Sequence, residues 1–461
     1  MRTWPFLLIL GLTGCAQYHP QPLAPEKTAA TLEGGRLADP DLRKFLEENL
    51  GRPLADWPQT NWDFRSLTLA AFHFHPSLAV ARAQWLVASA GVRTAAARPN
   101  PTVGVQPGYD TQIPGSYSPW IVPVSFDVPI ETAGKRAKRL ALAEKTAEAA
   151  RWDFVTAAWQ IRANVRSSLI DYDISQRRAD LLNRQYTELK NILGLLQQRL
   201  QVGQISRPDL IAEQITLTKT AQDLSDAQAN AAAARAHLAG AMGLPLAALD
   251  GINLKSDPTL ASDPALTSAD ARRIALLTRA DIRSALADYA ATEADLRLQI
   301  AKQYPDLHVG PGYQWNNGSA GDSEWILGLN LELPILDHNQ GPIAEAEARR
   351  QLSAAKFVEL QAAVIGQIDR AAAGLEVARR QMRLVDQLQA DEQKQLKSVQ
   401  GQLEAGAGDR LDLLTAQLEV SAAAITRLDN EAKLQAAIAE MEDALQRPAD
   451  SISAAIAKIT P

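Results

Sequence analysis

The stretch "WIVPVSFDVPI" (Trp120–Ile130) alternates: Val122, Val124, Phe126 and Val128 fall on one face of an extended chain, Ser125 and Asp127 on the other. "WILGLNLELPI" (Trp325–Ile335) repeats the frame, with Trp first, Pro-Ile last and an acid two residues before the proline, at an offset of 335 − 130 = 205. In front of each lies a second alternating stretch, "PTVGVQPGYD" (Pro101–Asp110) and "PDLHVGPGYQ" (Pro305–Gln314), whose Pro-Gly-Tyr motifs are 311 − 107 = 204 residues apart. Behind each lies a glycine-bearing interruption of helical sequence, "LQVGQISRPDLI" (200–211) and "LEAGAGDRLDLL" (403–414), at an offset of 203. Three landmarks at nearly one offset make the chain a duplicate of a single unit.

Each unit reads helix, strand, strand, long helix, tight turn, long helix. The leading helices are predicted over about Leu67–Arg98 and Ala269–Gln303, and the strands over 102–110, 120–129, 306–315 and 324–333. Ala179, Leu182, Tyr186, Leu189, Leu193, Leu196 and Leu200 step by alternating threes and fours, the seam of a coiled coil. An unbroken helix from Lys135 to Gln201 would be about 100 Å long at ~1.5 Å per residue, a rod that must lie against other rods. Gly203 and Gly406 suit the left-handed end of a helix. Ser206 with Asp209, and Asp409 with Asp412, have capping-box spacing for the helix that follows. The turns, 202–208 and 405–411, therefore make helical hairpins. Pro129 and Pro334 lack the N–H that continues a ladder and are expected to end their strands. Gly134 and Gly341 are expected to permit the bend into helix.

The chain has 461 residues and one cysteine. That cysteine follows Arg2, an apolar run from Trp4 to Leu12, and Leu12-Thr13-Gly14, a secretory signal too short to span a bilayer. Residues 1–14 read as a lipoprotein signal, with Cys15 acylated by diacylglycerol and an N-acyl chain, and Ala16 after it points to the outer membrane. No disulfide or thiolate metal site then remains. Residues 15–60 read as a lipid anchor and extended segment, 61–247 as the first repeat, 248–268 as a linker or belt, 269–447 as the second repeat and 448–461 as a tail. A net charge of −6 without a basic domain argues against a nucleic-acid partner. His73 and His75 are the only close histidine pair, and i,i+2 spacing does not place them on one helix face. The sequence carries no nucleophile–base set, phosphate loop or zinc motif, so neither an enzyme nor a resident metal or other cofactor is expected.

No helical run beyond the signal is apolar enough to cross a membrane, so a crossing would require a closed β-barrel. Each strand has the length of a tilted membrane strand, and Tyr109, Tyr117, Trp120, Tyr313, Trp315 and Trp325 flank the two strand-to-strand tips as an interfacial girdle would. Four strands close no barrel, whereas three chains would supply about 12. A sheet covered by the chain's own helices would instead suit a periplasmic coiled-coil lipoprotein.

From about residue 60 to 447 these features resemble the TolC family of outer-membrane efflux factors. "PIETAGKRAKR" (129–139) and "PILDHNQGPIAEAEA" (334–348) are similar to the strand-to-helix junctions of its cobalt–zinc–cadmium branch. The resemblance implies a mainly helical protomer with a small membrane β part, and a homotrimer forming one 12-stranded barrel above a periplasmic helical tunnel. It also implies a passive exit duct for an inner-membrane pump, of resistance-nodulation-division type, and a periplasmic membrane-fusion adaptor. A type I secretion duct of the same fold is the alternative.

The same resemblance places Val202, Gly203, Gln204, Ile205 and Ser206 at an adaptor-docking turn. Ala405, Gly406, Ala407 and Gly408 occupy the second turn but lack its Val and hydroxyl. Asp412 falls where the family sets a carboxylate at the tunnel constriction, and Thr415 replaces a second one a turn later. Lys135, Arg136, Lys138 and Arg139 open a helix, where cations oppose the dipole. They call for a partner, either lipid phosphates at the membrane edge or groups of the same chain.

Overall fold

A computed structural model describes residues 17–109, 111–112, 119–254, 269–316 and 323–447. The N-terminal segment, expected to be extended, carries two helices, α1 (Pro25–Glu33) and α2 (Pro40–Leu50). α2 has a local cause: Asp39 accepts from the Asp41 N–H, Pro40 sits at the first helical position and Gly51 closes the end at φ 69°. β1 (Asn61–Trp62) then leads into α3 (Phe64–Phe74) and α4 (Pro76–Ala96).

The first repeat continues with β2 (Thr102–Val105), β3 (Gly108–Tyr109), β4 (Trp120–Ile130), α5 (Lys135–Gln201) and α6 (Arg207–Ala241). β5 (Asn253–Leu254) pairs in parallel with β1 and ties the end of that repeat to its beginning. The second repeat runs α7 (Ala269–Thr278), α8 (Ala280–Ala301), β6 (Leu307–Asn316), β7 (Glu324–Leu331), α9 (Gln340–Glu404) and α10 (Arg410–Leu445).

Each leading helix, predicted as one, is two helices meeting at a corner. At His75 the backbone is extended (φ −70°, ψ 120°), as a residue before proline prefers. The matching corner at Arg279 (φ −54°, ψ 140°) has no proline. Tertiary bonds hold it instead: the Arg279 guanidinium donates to the Ala444 carbonyl at 2.5 Å, and the Ala280 N–H to Gln446 Oε1 at 2.7 Å.

α5, of 67 residues, and α9, of 65, are each nearly twice as long as the helix that follows them. Their lower halves pair with α6 and α10, and α5 also packs on α10. Their upper halves carry α4 and α8. The coiled-coil seam holds: Leu182, Leu189 and Leu196 are buried and the other seam residues half-buried. Three apolar clusters result. The largest joins α2, α3, the middle of α5 and the end of α6 around Trp62; a second joins α7, α9 and α10; a third sits at the hairpin tips around Leu189, Leu196, Leu210 and Leu414.

The larger sheet is antiparallel in the order β2-β4-β6-β7, with β3 lying end to end with β2 along β4. The first predicted strand thus splits at Gln106 and Pro107. Gln106 donates to the Pro123 carbonyl at 3.4 Å, but Pro123 has no N–H to return the bond. Pro129 does not end its strand, because it stays in register with His308, and Ile130 with Leu307. Its nitrogen points the same way as that of Pro123, toward the β2 side, where pairing has already stopped at Asp127, so no ladder bond is lost. The fourth strand stops at Leu331, three residues before Pro334.

Candidate functional site

Residues directly opposite in register share a face, which fixes the two sides of the sheet. On one side lie Val103 opposite Phe126, Val124 opposite Tyr313, Val309 opposite Leu329, and Tyr313 opposite Trp325. This side is apolar throughout and none of it is buried: Trp325 is 82% exposed, Leu327 and Leu329 67% each. Among the described residues no helix packs across it. At the tip end the rings pair, Tyr109 with Trp120 edge-on at 5.2 Å and Tyr313 with Trp325 at 4.9 Å, with Trp315 opposite Val122. The other side carries Gly104, Ser125, Asp127, His308, Gly310, Gln314, Gly328 and Asn330. The two outer strands, β2 with β3 on one margin and β7 on the other, leave backbone groups unpaired. Tyr117 and Cys15 lie outside the described residues.

Below the strands, the four cations at the start of α5 find partners within the chain. Lys135 donates to Asp306 at 2.8 Å and Lys138 to the Ala133 carbonyl at 2.6 Å. Arg136 donates to the Ala96 carbonyl, and Arg139 to those of Ala95 and Ala97 and to Glu131. The guanidiniums therefore cap the C-terminus of α4, where positive charge is favourable, and this offsets their unfavourable place at the start of α5. Gly134 is left-handed here at φ 67°, as expected. In the second repeat the left-handed residue is Asn339 at φ 61°, while Gly341 lies inside α9. Asparagine tolerates that conformation, and its amide donates to the Gln299 carbonyl near the end of α8.

At the far end, both turns close alike. Gly203 and Gly406 are left-handed, and the N–H of the next residue reaches back five positions, Gln204 to Arg199 and Ala407 to Gln402. Asp209 accepts from the Ser206 N–H and hydroxyl, which holds its carboxyl below the usual range. The second capping box does not form. Asp409 accepts from the Leu411 N–H and pairs with Arg199 across the two tips, and that guanidinium holds its carboxyl below the usual carboxylate range, while Asp412 faces outward. Val202 is 69% exposed, Ser206 and Ala405 are exposed, and Ile205 is half-buried in the tip cluster. Gly408 is packed so that a Cβ would lie 2.9 Å from the Leu403 nitrogen. Asp412 and Thr415, one turn apart, are both exposed on a face that the protomer leaves open.

Residues 70–244 and 271–446 match the family model described as outer membrane efflux protein, one match for each repeat. The chain belongs to this family. It is 26% identical over 296 residues to the cobalt-zinc-cadmium resistance protein CzcC of Cupriavidus metallidurans, covering 63% of this chain and 69% of that one. It is 24% identical to nodulation protein T of Rhizobium leguminosarum over 60% of this chain and 57% of the relative. The outer membrane protein VceC of Vibrio cholerae superposes with a TM-score of 0.67 at 17% identity, over 83% of this chain and 95% of that one, a likeness of fold. By its family the protein is thus an outer membrane efflux protein.

One cluster in this efflux protein has no trace in its motifs. Arg162 and Arg166 of α5 and Glu442 of α10 are buried together, Arg162 stacking on Phe64 and Trp159 at 5.1 and 5.2 Å. Beside them burial pushes the Asp443 carboxyl up to about 6, against the pull of Arg162, Arg166 and Arg279. The folded protein therefore holds a proton between about pH 4 and 6 that the unfolded chain has released, so stability falls as pH rises through that window and stays lower above it. Asp443→Asn is expected to remove this fall. At about pH 7.5 it should exceed the parent by on the order of 1 kcal/mol, a figure discounted for a side chain about a third exposed. Denaturant titrations at pH 4.5 and 7.5 read the difference; an unchanged pH dependence in the variant would place the titration elsewhere.

Proposed function

We propose that three copies of this chain close one barrel of about 12 strands, apolar face to lipid and polar face to a lumen. The observation that supports this is the four-stranded sheet with an uncovered apolar side and two unpaired margins. In hydrocarbon an open edge leaves backbone groups unsatisfied, and joining edge to edge between copies satisfies them. The ring pairs then sit at the outer interface, and α5 and α9, flanked over their far halves by α6 and α10, extend about 100 Å into the periplasm. Acylation of Cys15 adds a lipid anchor. The exposed tips, Val202–Ser206 and Ala405–Gly408, dock a periplasmic adaptor, which passes on cargo from an inner-membrane pump of the resistance-nodulation-division type. The likeness to CzcC favours divalent metal cations as that cargo.

Selection in the duct is weak and electrostatic. Asp412 of three protomers forms an acidic ring at the tunnel mouth, with Thr415 in place of a second ring. Single-channel recording of the purified protein in planar bilayers tests both parts. Stable trimeric pores are expected, with a cation-to-anion permeability ratio that falls roughly twofold or more in Asp412→Asn, since three like charges leave one constriction. Pores whose selectivity ignores the variant would reduce Asp412 to a surface residue, and folded protein that never conducts would overturn the duct.

A further inference from the structure

Around Gly310 the polar face of the sheet is nearly bare. Gly310 and Gly328 lie directly opposite each other, and a Cβ on Gly310 would approach the Phe126 carbonyl oxygen to 3.2 Å. Ser125 and Asn330 add only short neutral groups. Against this low relief stand Asp127 of β4 and His308 of β6. His308 is in register with Pro129, so Asp127 is its diagonal neighbour across the ladder. Nδ1 of His308 lies 3.0 Å from both oxygens of Asp127. A carboxylate can only accept, so Nδ1 donates to it, and in the neutral imidazole Nε2 is then the nitrogen that offers a lone pair. Both side chains remain accessible, at 39% and 46% exposure.

A carboxylate holding one imidazole nitrogen while the other stays free is the arrangement that orients a histidine toward a metal ion. The surroundings are suited to a cation. His308 opens beside a recess of about 780 Å³ that also contains Glu332 and Asp337. Lys135 and Lys302 also line the recess, against the carboxylates of Asp306, Glu332 and Asp337, and the ammonium of Lys135 is engaged by Asp306. Among the described residues no group of three or more potential ligands converges, so a bound ion would keep most of its water. One protein ligand gives the weak, quickly released binding that conduction requires.

We propose that Nε2 of His308 is a transient ligand for borderline divalent cations of the zinc and cobalt type at the inner end of the lumen, with Asp127 as its positioning residue. This rests on the reading that the polar face lines a lumen. Imidazole favours such ions over the harder magnesium and calcium, which prefer oxygen.

The test compares the parent with His308→Gln, whose amide still donates to Asp127 and so keeps the cross-strand bond, and with Asp127→Asn. Detergent-solubilised protein is titrated with zinc against a competing indicator dye, and zinc is added to single channels. The expected result is a class of zinc sites, one per protomer, weakened at least about tenfold in His308→Gln and about tenfold in Asp127→Asn. Channel current should respond to zinc in the parent, not in His308→Gln, and to magnesium in neither. Equal zinc binding and equal current response in the parent and His308→Gln would overturn the assignment. Failure to form channels would count against the duct, while the dye titration would still decide whether His308 binds zinc.

Discussion

Leu329→Arg is expected to remove the protein from the outer membrane, whereas Asn330→Arg leaves it there. The two positions are adjacent on β7, so they differ only in the face they occupy. Leu329 is opposite Val309 and 67% exposed on the apolar side; Asn330 is opposite His308 on the polar side. If the apolar side meets lipid, a guanidinium near mid-membrane costs about 2–4 kcal/mol per chain, and each trimer bears that cost three times. Asn330→Arg places the same charge in water and alters only the field in the lumen. Membrane fractionation with immunodetection should show the outer-membrane level of Leu329→Arg down by more than about tenfold and that of Asn330→Arg near the parent's. Equal levels for the two variants would mean that the apolar side faces protein rather than lipid.

The strands were legible because their period of two stands out in a chain otherwise periodic near 3.5. Register added what the sequence lacked: the pairing of β4 with β6 joins the two repeats into one sheet and puts the alternating apolar residues of both repeats on the same side, with Ile121 and Ile326 as exceptions. α5 was legible end to end, since Gly134 and Gly203 are left-handed at its two limits. The misreadings share a cause in local rules that tertiary contacts or neighbouring rules override. The corner at Arg279 has no proline and depends on partners about 165 residues away in sequence. Gly341 drew attention away from Asn339, whose amide bond to α8 makes it the junction residue. Reading residues 15–60 as extended passed over the Asp39-Pro40 start and Gly51 stop of α2.

The candidate sites divide in the same way. The hairpin turns could be read because their chemistry is local, glycine and cap within a few residues. Arg136 and Arg139 could not be resolved, since their acceptors are carbonyls about 40 residues upstream at the end of another helix. The buried cluster was invisible. Arg162 and Arg166, at i and i+4 on an Ala-rich helix, look like solubilising surface charge until Glu442, 280 residues beyond Arg162, is placed between them.

That cluster carries the second large effect. Glu442 is fully buried and accepts from Arg162 at 3.2 Å and from Arg166, whose side chains are 0% and 2% exposed. Glu442→Gln keeps the volume and removes the charge. Two guanidiniums then remain in a dry site with aromatic faces and the carboxyl of Asp443, which is 4.0 Å from Arg162. Loss of one member of a buried ion pair costs about 3–5 kcal/mol, because the surviving charge has no compensation. Here the cost falls on the joint between α3, α5 and α10, where the first repeat meets the second. Glu442→Gln should therefore lower the urea midpoint sharply and expose the α3–α5 region to protease before the tips loosen. The triple variant Arg162→Met, Arg166→Met, Glu442→Leu distinguishes charge from shape. It removes all three ions at similar volume and should recover most of the loss, since well-packed apolar replacements of buried ion clusters are often neutral or stabilising. If Glu442→Gln unfolds at the parent's midpoint, water reaches the arginines and the joint is held by packing alone. If the triple variant is as weak as Glu442→Gln, the stacking of Arg162 on Phe64 and Trp159 contributes more than its charge does.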